Sequence, residues 1–501
     1  MEPVNAQTTP LRADAVTGGV PEPPARAEAP RPLADEVASA RDAARRLGRP
    51  ALLVRRERVA APIDPLQVLL DCDPARDPLF YWQTPEGERL LAIGALSVVS
   101  AAGVDRFEAL ARGCAAIAGQ LADPDSAPLV RCYGGFAFSH QTTAAHWSGF
   151  GASRFTLPEA TVQIDDAGAA WLQWAMWVGP GDSYDAQLAE ATGRERRWRR
   201  ALERARRAEW PARPAGAMAP RRDDSQAREA WMAAVEDAAA QIRGATSPLQ
   251  KVVLARQVEV ASEAGPLEIA SLLRTLRATQ PGCRLFMVSE ASEGERGGGR
   301  VFLGATPELL IAKQGRDLQT EALAGSAPVT APPEVLLKSP KERIEHALVV
   351  EAIETALAPL CQALHVPEAP ELLRLATIHH LRTPIHGRLD APMDLLDVAA
   401  RLHPTPAVCG LPVDQARELL HGVEAGQGLD RGWYAGGIGW TDARGDGLIA
   451  VALRSALVEG SRASLFAGAG IVGDSRPEAE FAETGLKLQA IARALAGEEG
   501  R

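Results

Sequence analysis

The chain has 501 residues and a net charge of −10, with 46% apolar and 24% charged residues, as in an ordinary globular protein of one large domain or a few smaller ones. The acidic balance argues against a nucleic-acid partner, and no apolar run reaches the ~20 residues that span a membrane. The N-terminus lacks the apolar core of a signal peptide, and the six cysteines form no C-x-x-C pair, which predicts a cytoplasmic protein with reduced thiols.

The first part of the chain divides into a tail and a sheet-rich half. Residues 1–34 are rich in proline, alanine and charge, so we expect a disordered tail that cannot bury enough apolar surface to fold. Residues 35–222 contain short apolar runs separated by turn signals, which predict strands near 80–83, 90–99 and 130–138. This half contains no recognisable nucleophile–base pair.

Helical and strand periodicities alternate through the second half, residues 223–501. The predicted helices cover 226–244, 267–279, 342–363, 392–402 and 477–496. The predicted strands cover 251–260, 372–381, 435–440, 447–458 and 463–467. Strands at 285–289 and 301–304 should form a hairpin, whose glycine-rich run at 293–299 is a flexible tip and not a phosphate loop. This pattern predicts a fold with two α/β layers and long antiparallel strands.

The segment beginning at Ser339 has the features of a helix start. Pro340 suits the first helical position, and Glu342 stands three residues after the serine, as in a capping box. Glu342 and Glu345 are three residues apart and therefore share one face of this helix.

A second Glu-x-x-Glu pair, Glu480 and Glu483, lies on the predicted C-terminal helix. Two helices that each carry such a pair can converge on one Mg²⁺, which prefers oxygen ligands. The spacing fits four solvated surface carboxylates equally well, because Glu-x-x-Glu is common on helices.

Two charged residues stand in apolar segments. Lys251 opens a strand of β-branched residues, and it is either an ordinary strand end or a buried proton acceptor. Glu308 is the only charge in its segment, where a carboxyl can stay protonated and act as a general acid; the alternative is a glutamate favoured by a helix N-terminus. Small-residue runs at Gly325–Ser326 and around Gly468 can bring backbone N–H groups close to an anion.

Seven motifs of the second half occur in one order and together resemble the chorismate-utilising enzymes over residues 225–497. This family includes isochorismate, salicylate, anthranilate and aminodeoxychorismate synthases. The motifs are Lys-Val-Val-Leu-Ala-Arg from 251, Gly-Ala-Thr-Pro-Glu from 304, Ala-Leu-Ala-Gly-Ser from 322, Lys-Glu-Arg-x-Glu-His from 341, His-Pro-Thr-Pro-Ala from 403, Leu-Phe-Ala-Gly-Ala-Gly-Ile-Val from 465 and Glu-x-x-Glu-Thr-Gly-x-Lys-Leu from 480.

Single positions separate the members of the family. Anthranilate enzymes tend to carry Gln where Lys251 stands, and aminodeoxychorismate synthases use a nucleophilic Lys where this chain has Ala324. The resemblance therefore implies water as the nucleophile, in an isochorismate synthase for menaquinone or siderophore biosynthesis. The alternative is a salicylate synthase, which also eliminates pyruvate, and a third class is a non-catalytic homologue that binds an aromatic amino acid.

The resemblance also implies a cofactor and a site. Mg²⁺ would be held by Glu345 and Glu483, with Glu342 and Glu480 acting through water. Lys251 would deprotonate a water that attacks C2 of chorismate, and Glu308 would protonate the departing C4 hydroxyl group. The expected substrate-binding residues are Arg454 and Gly468 for the enolpyruvyl carboxylate, Lys487, Gly325 and Ser326 for the ring carboxylate, and His403 on the pyruvyl side.

The fold implied is of the α/β (α+β) class, a large two-layer antiparallel β-sandwich with flanking helices. It agrees with the pattern of elements predicted above. We expect a monomer without an amidotransferase subunit, because Lys251 removes the need for ammonia.

Overall fold

The computed structural model describes residues 31–60, 63–142, 144–211, 218–220, 225–290 and 299–498. Nearly all of the predicted tail and most of the predicted glycine-rich tip lie outside these residues. Within the described ranges, no helix is both long and apolar enough to cross a membrane.

Helices of the described residues lie in both halves of the chain. They are α1 (Leu33–Leu47), α2 (Pro65–Leu69), α3 (Arg106–Ala118), α4 (Tyr184–Arg207), α5 (Ser225–Arg243), α6 (Ile269–Thr279), α7 (Pro333–Lys338), α8 (Pro340–Leu357), α9 (Leu395–Leu402), α10 (Val413–Gly426) and α11 (Pro477–Leu495), with short 3₁₀ turns at Pro124–Leu129, Ala145–Trp147 and Ala358–Leu360.

Strands of the described residues form two sheets. They are β1 (Ala51–Arg58), β2 (Leu79–Gln83), β3 (Arg89–Ile93), β4 (Ser97–Ser100), β5 (Arg131–Phe136), β6 (Ser153–Leu157), β7 (Ala160–Ile164), β8 (Ala170–Val178), β9 (Met218–Pro220), β10 (Lys251–Ser262), β11 (Arg284–Glu290), β12 (Arg300–Thr306), β13 (Leu309–Gln314), β14 (Asp317–Pro328), β15 (Cys361–His365), β16 (Glu371–Arg374), β17 (Ile378–Leu389), β18 (Gly410–Leu411), β19 (Gly437–Asp442), β20 (Gly447–Val451), β21 (Ser455–Glu459) and β22 (Arg462–Ile471).

Both sheets are built from strands of both halves. The first sheet has the order β1-β8-β7-β3-β2-β11-β12-β21-β22-β10-β18, with β9 beside β10. The second has the order β15-β17-β14-β13-β20-β19-β5-β6-β4, with β16 beside β17. The ladders β2–β11 and β5–β19 run antiparallel and join the halves, so the sequence boundary near residue 222 separates no sheet from another.

Side chains along the strands of the first sheet point alternately to its two faces, and each face belongs to a different hydrophobic core. In β2, Phe80 and Trp82 belong to the core between the sheets, whereas Leu79 and Tyr81 belong to a second core that helices cover. Phe80 packs on Tyr133 of β5 with 5.2 Å between ring centroids, so the sheets face each other there. The predicted two-layer antiparallel sandwich with flanking helices is confirmed.

Three predicted elements end differently in the structure. The helix predicted to reach 363 ends at Leu357, because Pro359 has no N–H to continue it, and β15 follows. The strand predicted at 372–381 is two paired strands, β16 and the start of β17. The strand predicted at 447–458 is also two strands, since Arg454 adopts a left-handed φ of 47° and sends β20 and β21 into different sheets.

Candidate active site

A cavity of about 730 Å³ lies where the chain crosses between the sheets. Pro307 and Glu308 connect β12 to β13, and residues 452–454 connect β20 to β21 in the opposite direction. The two crossings lie side by side, because β12 pairs with β21 and β13 with β20. The predicted site residues that line the cavity are Glu308, Gly325, Ser326, Glu345, Arg454, Gly468, Glu483 and Lys487.

Glu308 is held in the first crossing by its own backbone. Its N–H donates to Thr306 Oγ1 at 3.2 Å, and its carbonyl oxygen accepts from the N–H of Val451 at 3.0 Å. Burial raises the pKa of the Glu308 carboxyl to about 8, and the nearby carboxylate of Glu321 adds to the rise. At neutral pH this group is therefore a protonated acid inside the cavity.

Lys251 is not among the lining residues of the cavity but contacts Glu345, which is one of them. Lys251 is completely buried at the start of β10, and its Nζ is 3.0 Å from Glu345 Oε1 as an ion pair. Gly470, on the neighbouring strand, makes room for this pair. A Cβ at Gly470 would stand 2.3 Å from Glu345 Oε1 and 3.0 Å from Lys251 Cε, so a larger residue there would force this pair to shift.

Arg454 presents a buried guanidinium to the cavity. Its Nη2 donates to Nε2 of His380 at 2.7 Å, and Nδ1–H of His380 donates to the carbonyl of Gly325 at 3.2 Å. Burial lowers the pKa of His380 well below its usual value, and Arg454 adds to this, so the ring is neutral. The Cys283 thiol lies nearby, yet Arg454 Nη1 is buried without a hydrogen-bond partner among the described residues, which suits it for an anionic ligand.

Glu342 and Glu345 on α8 lie near Glu483 on α11. The side chain of Ser339 caps α8 by accepting from the N–H of Glu342 at 3.4 Å. The carboxylate of Glu342 accepts instead from the N–H of Ser326 at 2.9 Å, so the predicted capping box is formed only in part. Burial, followed by repulsion from Glu345, raises the pKa of Glu342 to about 7.

Lysines compensate the carboxylates on α11. Lys341 Nζ is 2.9 Å from Glu480 Oε1, and Lys487 Nζ is 2.7 Å from Glu483 Oε1. Burial raises the pKa of Glu480, and Glu483 adds to the rise. Burial would also raise the pKa of Glu483, but the charge and hydrogen bond of Lys487, the Ser326 hydroxyl and the charge of Lys341 together outweigh burial and lower that pKa.

These four carboxylates are hard oxygen donors that repel one another, which is the chemistry that a divalent cation relieves. In the ligand-free arrangement, however, lysines occupy their oxygens. Accordingly, no group of three or more His, Cys, Asp or Glu side chains in the described part of the chain is placed to hold a metal ion. The donor set therefore fits Mg²⁺ in kind, and a cation would have to displace a lysine.

The structure places His403 away from the cavity. Its ring packs against Phe136, with 4.9 Å between centroids, and its Nε2 lies 3.1 Å from the carbonyl of Phe138, to which it donates. Burial lowers the pKa of His403 to about 3, so it is a neutral core residue. The histidine that lines the cavity is His380, together with Tyr434, and neither was predicted from the sequence.

A buried ion pair supports the cavity wall from behind. Arg431 binds both carboxylate oxygens of Glu424 through Nε, and its other nitrogens donate to the carbonyls of Val408 and Val253 at 2.8 and 2.6 Å. Val253 and Val408 line the cavity on the other side. This pair therefore fixes two wall segments relative to α10.

We expect Arg431→Met to lower the free energy of unfolding by about 3–5 kcal/mol, because it leaves the buried Glu424 carboxylate unpaired. Urea denaturation followed by tryptophan fluorescence would measure the loss. The control is Arg388→Met, which removes the half-exposed partner of Asp317 and should cost less than about 1 kcal/mol. Equal losses in the two variants would contradict this role.

Known proteins resemble this chain in both sequence and structure. A family model described as chorismate binding enzyme matches residues 38–496. The salicylate biosynthesis isochorismate synthase of Pseudomonas aeruginosa is 37% identical over 463 residues, covering 90% of this chain and 92% of its own length. The menaquinone-specific isochorismate synthase MenF of Escherichia coli has a similar structure, with a TM-score of 0.70 at 27% identity, covering 92% of this chain and 100% of that one.

Isochorismate synthase DhbC of Bacillus subtilis is 40% identical over 269 residues, which is 52% of this chain and 66% of its own length. The solved structure described as a putative 2,3-dihydroxybenzoate-specific isochorismate synthase of Bacillus anthracis matches with a TM-score of 0.64 at 27% identity, covering 86% of this chain and 99% of that one.

Proposed function

The chain belongs to the family of chorismate binding enzymes, and we propose that it is an isomerase that converts chorismate to isochorismate. One observation carries this proposal: a single cavity combines a carboxyl that is protonated at neutral pH, Glu308, with the cations Arg454 and Lys487. A dianionic substrate needs such cations, and loss of its hydroxyl group needs such an acid.

The proposed reaction exchanges one hydroxyl group for another. Lys251 takes a proton from water as the oxygen bonds to C2 of the ring. The double bonds shift, the bond from C4 to its hydroxyl group breaks, and Glu308 gives its proton to the leaving oxygen. One water is consumed and one is released, so the product is an isomer of the substrate.

Substrate recognition is assigned to the cationic side of the cavity. Arg454 Nη1, which has no hydrogen-bond partner in the described part of the chain, would bind the enolpyruvyl carboxylate, and Gly468 lines the same cavity. Lys487, anchored by Glu483 and by the carbonyl of Gly468 at 3.0 Å, would hold the ring carboxylate with Gly325 and Ser326.

We expect Arg454→Met to lower kcat/KM for chorismate about 100-fold or more, because a buried charged partner of the substrate is lost. Arg454→Lys should not restore it, since an ammonium lacks the planar pair of donors that a carboxylate binds. Steady-state kinetics over a range of chorismate concentrations would check this. A wild-type KM in either variant would show that the carboxylate binds elsewhere.

Mg²⁺ is proposed as the cofactor, bound by Glu345 and Glu483 with Glu342 and Glu480 behind them. Support comes from the mutual repulsion of these carboxylates and from their oxygen chemistry. When bound, the cation would neutralise charge on the substrate's ring carboxylate. Glu345 also pairs with Lys251 at 3.0 Å, so a proposed ligand of the cation and the proposed base are in direct contact.

The pathway that uses the product is proposed as menaquinone or siderophore biosynthesis. A salicylate synthase, which would eliminate pyruvate from isochorismate in the same cavity, is the second candidate, favoured by the relative whose name refers to salicylate biosynthesis. A cytoplasmic monomer without an amidotransferase subunit remains our expectation.

Chorismate, enzyme and Mg²⁺ incubated together, with products resolved by chromatography, test the proposal. We expect isochorismate alone, and loss of its formation with excess EDTA. Salicylate and pyruvate would favour the second candidate. Conversion that EDTA leaves unchanged would reject only the Mg²⁺ requirement, and no conversion under any condition would reject the function.

A further inference from the structure

The carboxylate cluster contains its own counter-ions. Its four glutamates face three lysines, which leaves about one uncompensated negative charge. Lys251 pairs with Glu345, Lys487 with Glu483, and Lys341 with Glu480. Lys341 Nζ also lies 3.8 Å from Glu342 Oε1 on its own helix, so its ammonium group bridges the carboxylates of α8 and α11.

The three lysines differ in their burial and in their hydrogen-bond partners. Lys251 is completely buried in β10, and Lys487 also donates to the carbonyl of Gly468. Lys341 stands in the first turn of α8, has 32% of its side chain exposed, and among the described residues donates a hydrogen bond to Glu480 alone. Its long side chain can therefore turn into solvent, which would leave the buried Glu480 carboxylate to be neutralised by another cation.

We propose that Lys341 is a resident counter-ion of the proposed cation site: it joins α8 to α11 through Glu342 and Glu480, the carboxylates behind the proposed ligands Glu345 and Glu483. This inference rests on the proposed Mg²⁺ site. It makes Lys341 a positioning residue that opposes metal binding, because its ammonium group neutralises negative charge that would otherwise attract the cation.

Titration calorimetry of the purified full chain with Mg²⁺ tests this opposition directly. We expect Lys341→Met to bind Mg²⁺ about tenfold more tightly than the wild type, since a nearby positive charge is removed. Lys341→Arg should retain the wild-type affinity. The control is Lys338→Met, which removes the same charge from an exposed position at the end of α7 and should leave the affinity within about twofold.

Thermal unfolding gives a second readout that a merely structural residue would not produce. Without Mg²⁺, the Tm of Lys341→Met should be below that of the wild type, and at saturating Mg²⁺ the two Tm values should be close. The increase in Tm that Mg²⁺ causes should therefore be larger in the variant. Equal or weaker Mg²⁺ binding by Lys341→Met, with binding by the wild type intact, would overturn this inference alone. Absence of Mg²⁺ binding in all variants would overturn the proposed metal site with it.

Discussion

Lys251→Met should lower kcat for chorismate isomerisation by about 10³-fold or more. Removing a positioned general base typically costs 10²–10⁴-fold, and the buried site leaves no solvent base in its place. Methionine has a similar length and fits an apolar environment, so the core of β10 should stay packed. Single-turnover measurements with saturating chorismate and Mg²⁺ would isolate the chemical step.

A matched control separates catalysis from stability in this test. Lys313 is also a buried lysine paired with a carboxylate, that of Asp446, and it lies outside the cavity. Lys313→Met should lower stability but leave kcat within a few fold. If Lys251→Met retained the wild-type kcat while folded, the proton acceptor would have to be another group.

Glu308→Gln should lower kcat/KM by about 10²–10⁴-fold, because glutamine keeps the shape of the side chain but cannot give a proton to the leaving hydroxyl group. The pH profile provides the sharper test. The acid works only when protonated, and its pKa is about 8. Wild-type kcat/KM should therefore fall as pH rises through about 8, and this limb should disappear from the residual activity of the variant.

Glu321 offers an independent check on this assignment. Its carboxylate adds to the raised pKa of Glu308, while it accepts from the N–H of Leu309 and pairs with Arg382. Glu321→Gln removes that negative charge, so the basic limb should move to lower pH while activity near pH 6 stays within a few fold. A limb that stays at the same pH would show that it belongs to another group.

Strand periodicity predicted most of the strands but not the points where the chain passes from one sheet to the other. Residues 447–458 are mostly apolar, and although Arg454 and Ser455 interrupt the pattern, nothing in it shows that Arg454 takes a left-handed φ. Likewise, Pro307 marks a turn without showing that β12 and β13 belong to different sheets. Both crossings depend on which strands become neighbours, which is a property of the whole chain.

The motifs predicted eight residues that the structure brings to one cavity, whereas His403 packs on Phe136 and is not among the lining residues. The cavity's histidine, His380, follows another histidine in β17, and local sequence does not distinguish the two. Their positions are set by pairing with β14, where the register shifts between Ala324 and Ser326, so that Ser326 faces His380. A bulge in a distant strand cannot be read from the sequence of β17.

The carboxylate spacing predicted a possible cluster but not how its lysines pair. Lys487 and Glu483 are four residues apart on α11, so their contact follows from helical spacing, whereas Lys341 reaches Glu480 only because α8 lies beside α11. The part of the charge balance that Lys341 supplies therefore follows from tertiary packing, which spacing along one helix does not contain.

Turnover in ¹⁸O-labelled water tests the central claim, water attack at C2 with departure of the C4 hydroxyl group. Enzyme, unlabelled chorismate and Mg²⁺ would be mixed in labelled water and the early product analysed by mass spectrometry. We predict isochorismate with one solvent oxygen, located in its C2 hydroxyl group. Unlabelled isochorismate would contradict this mechanism, because it would mean that the hydroxyl group moves within the substrate.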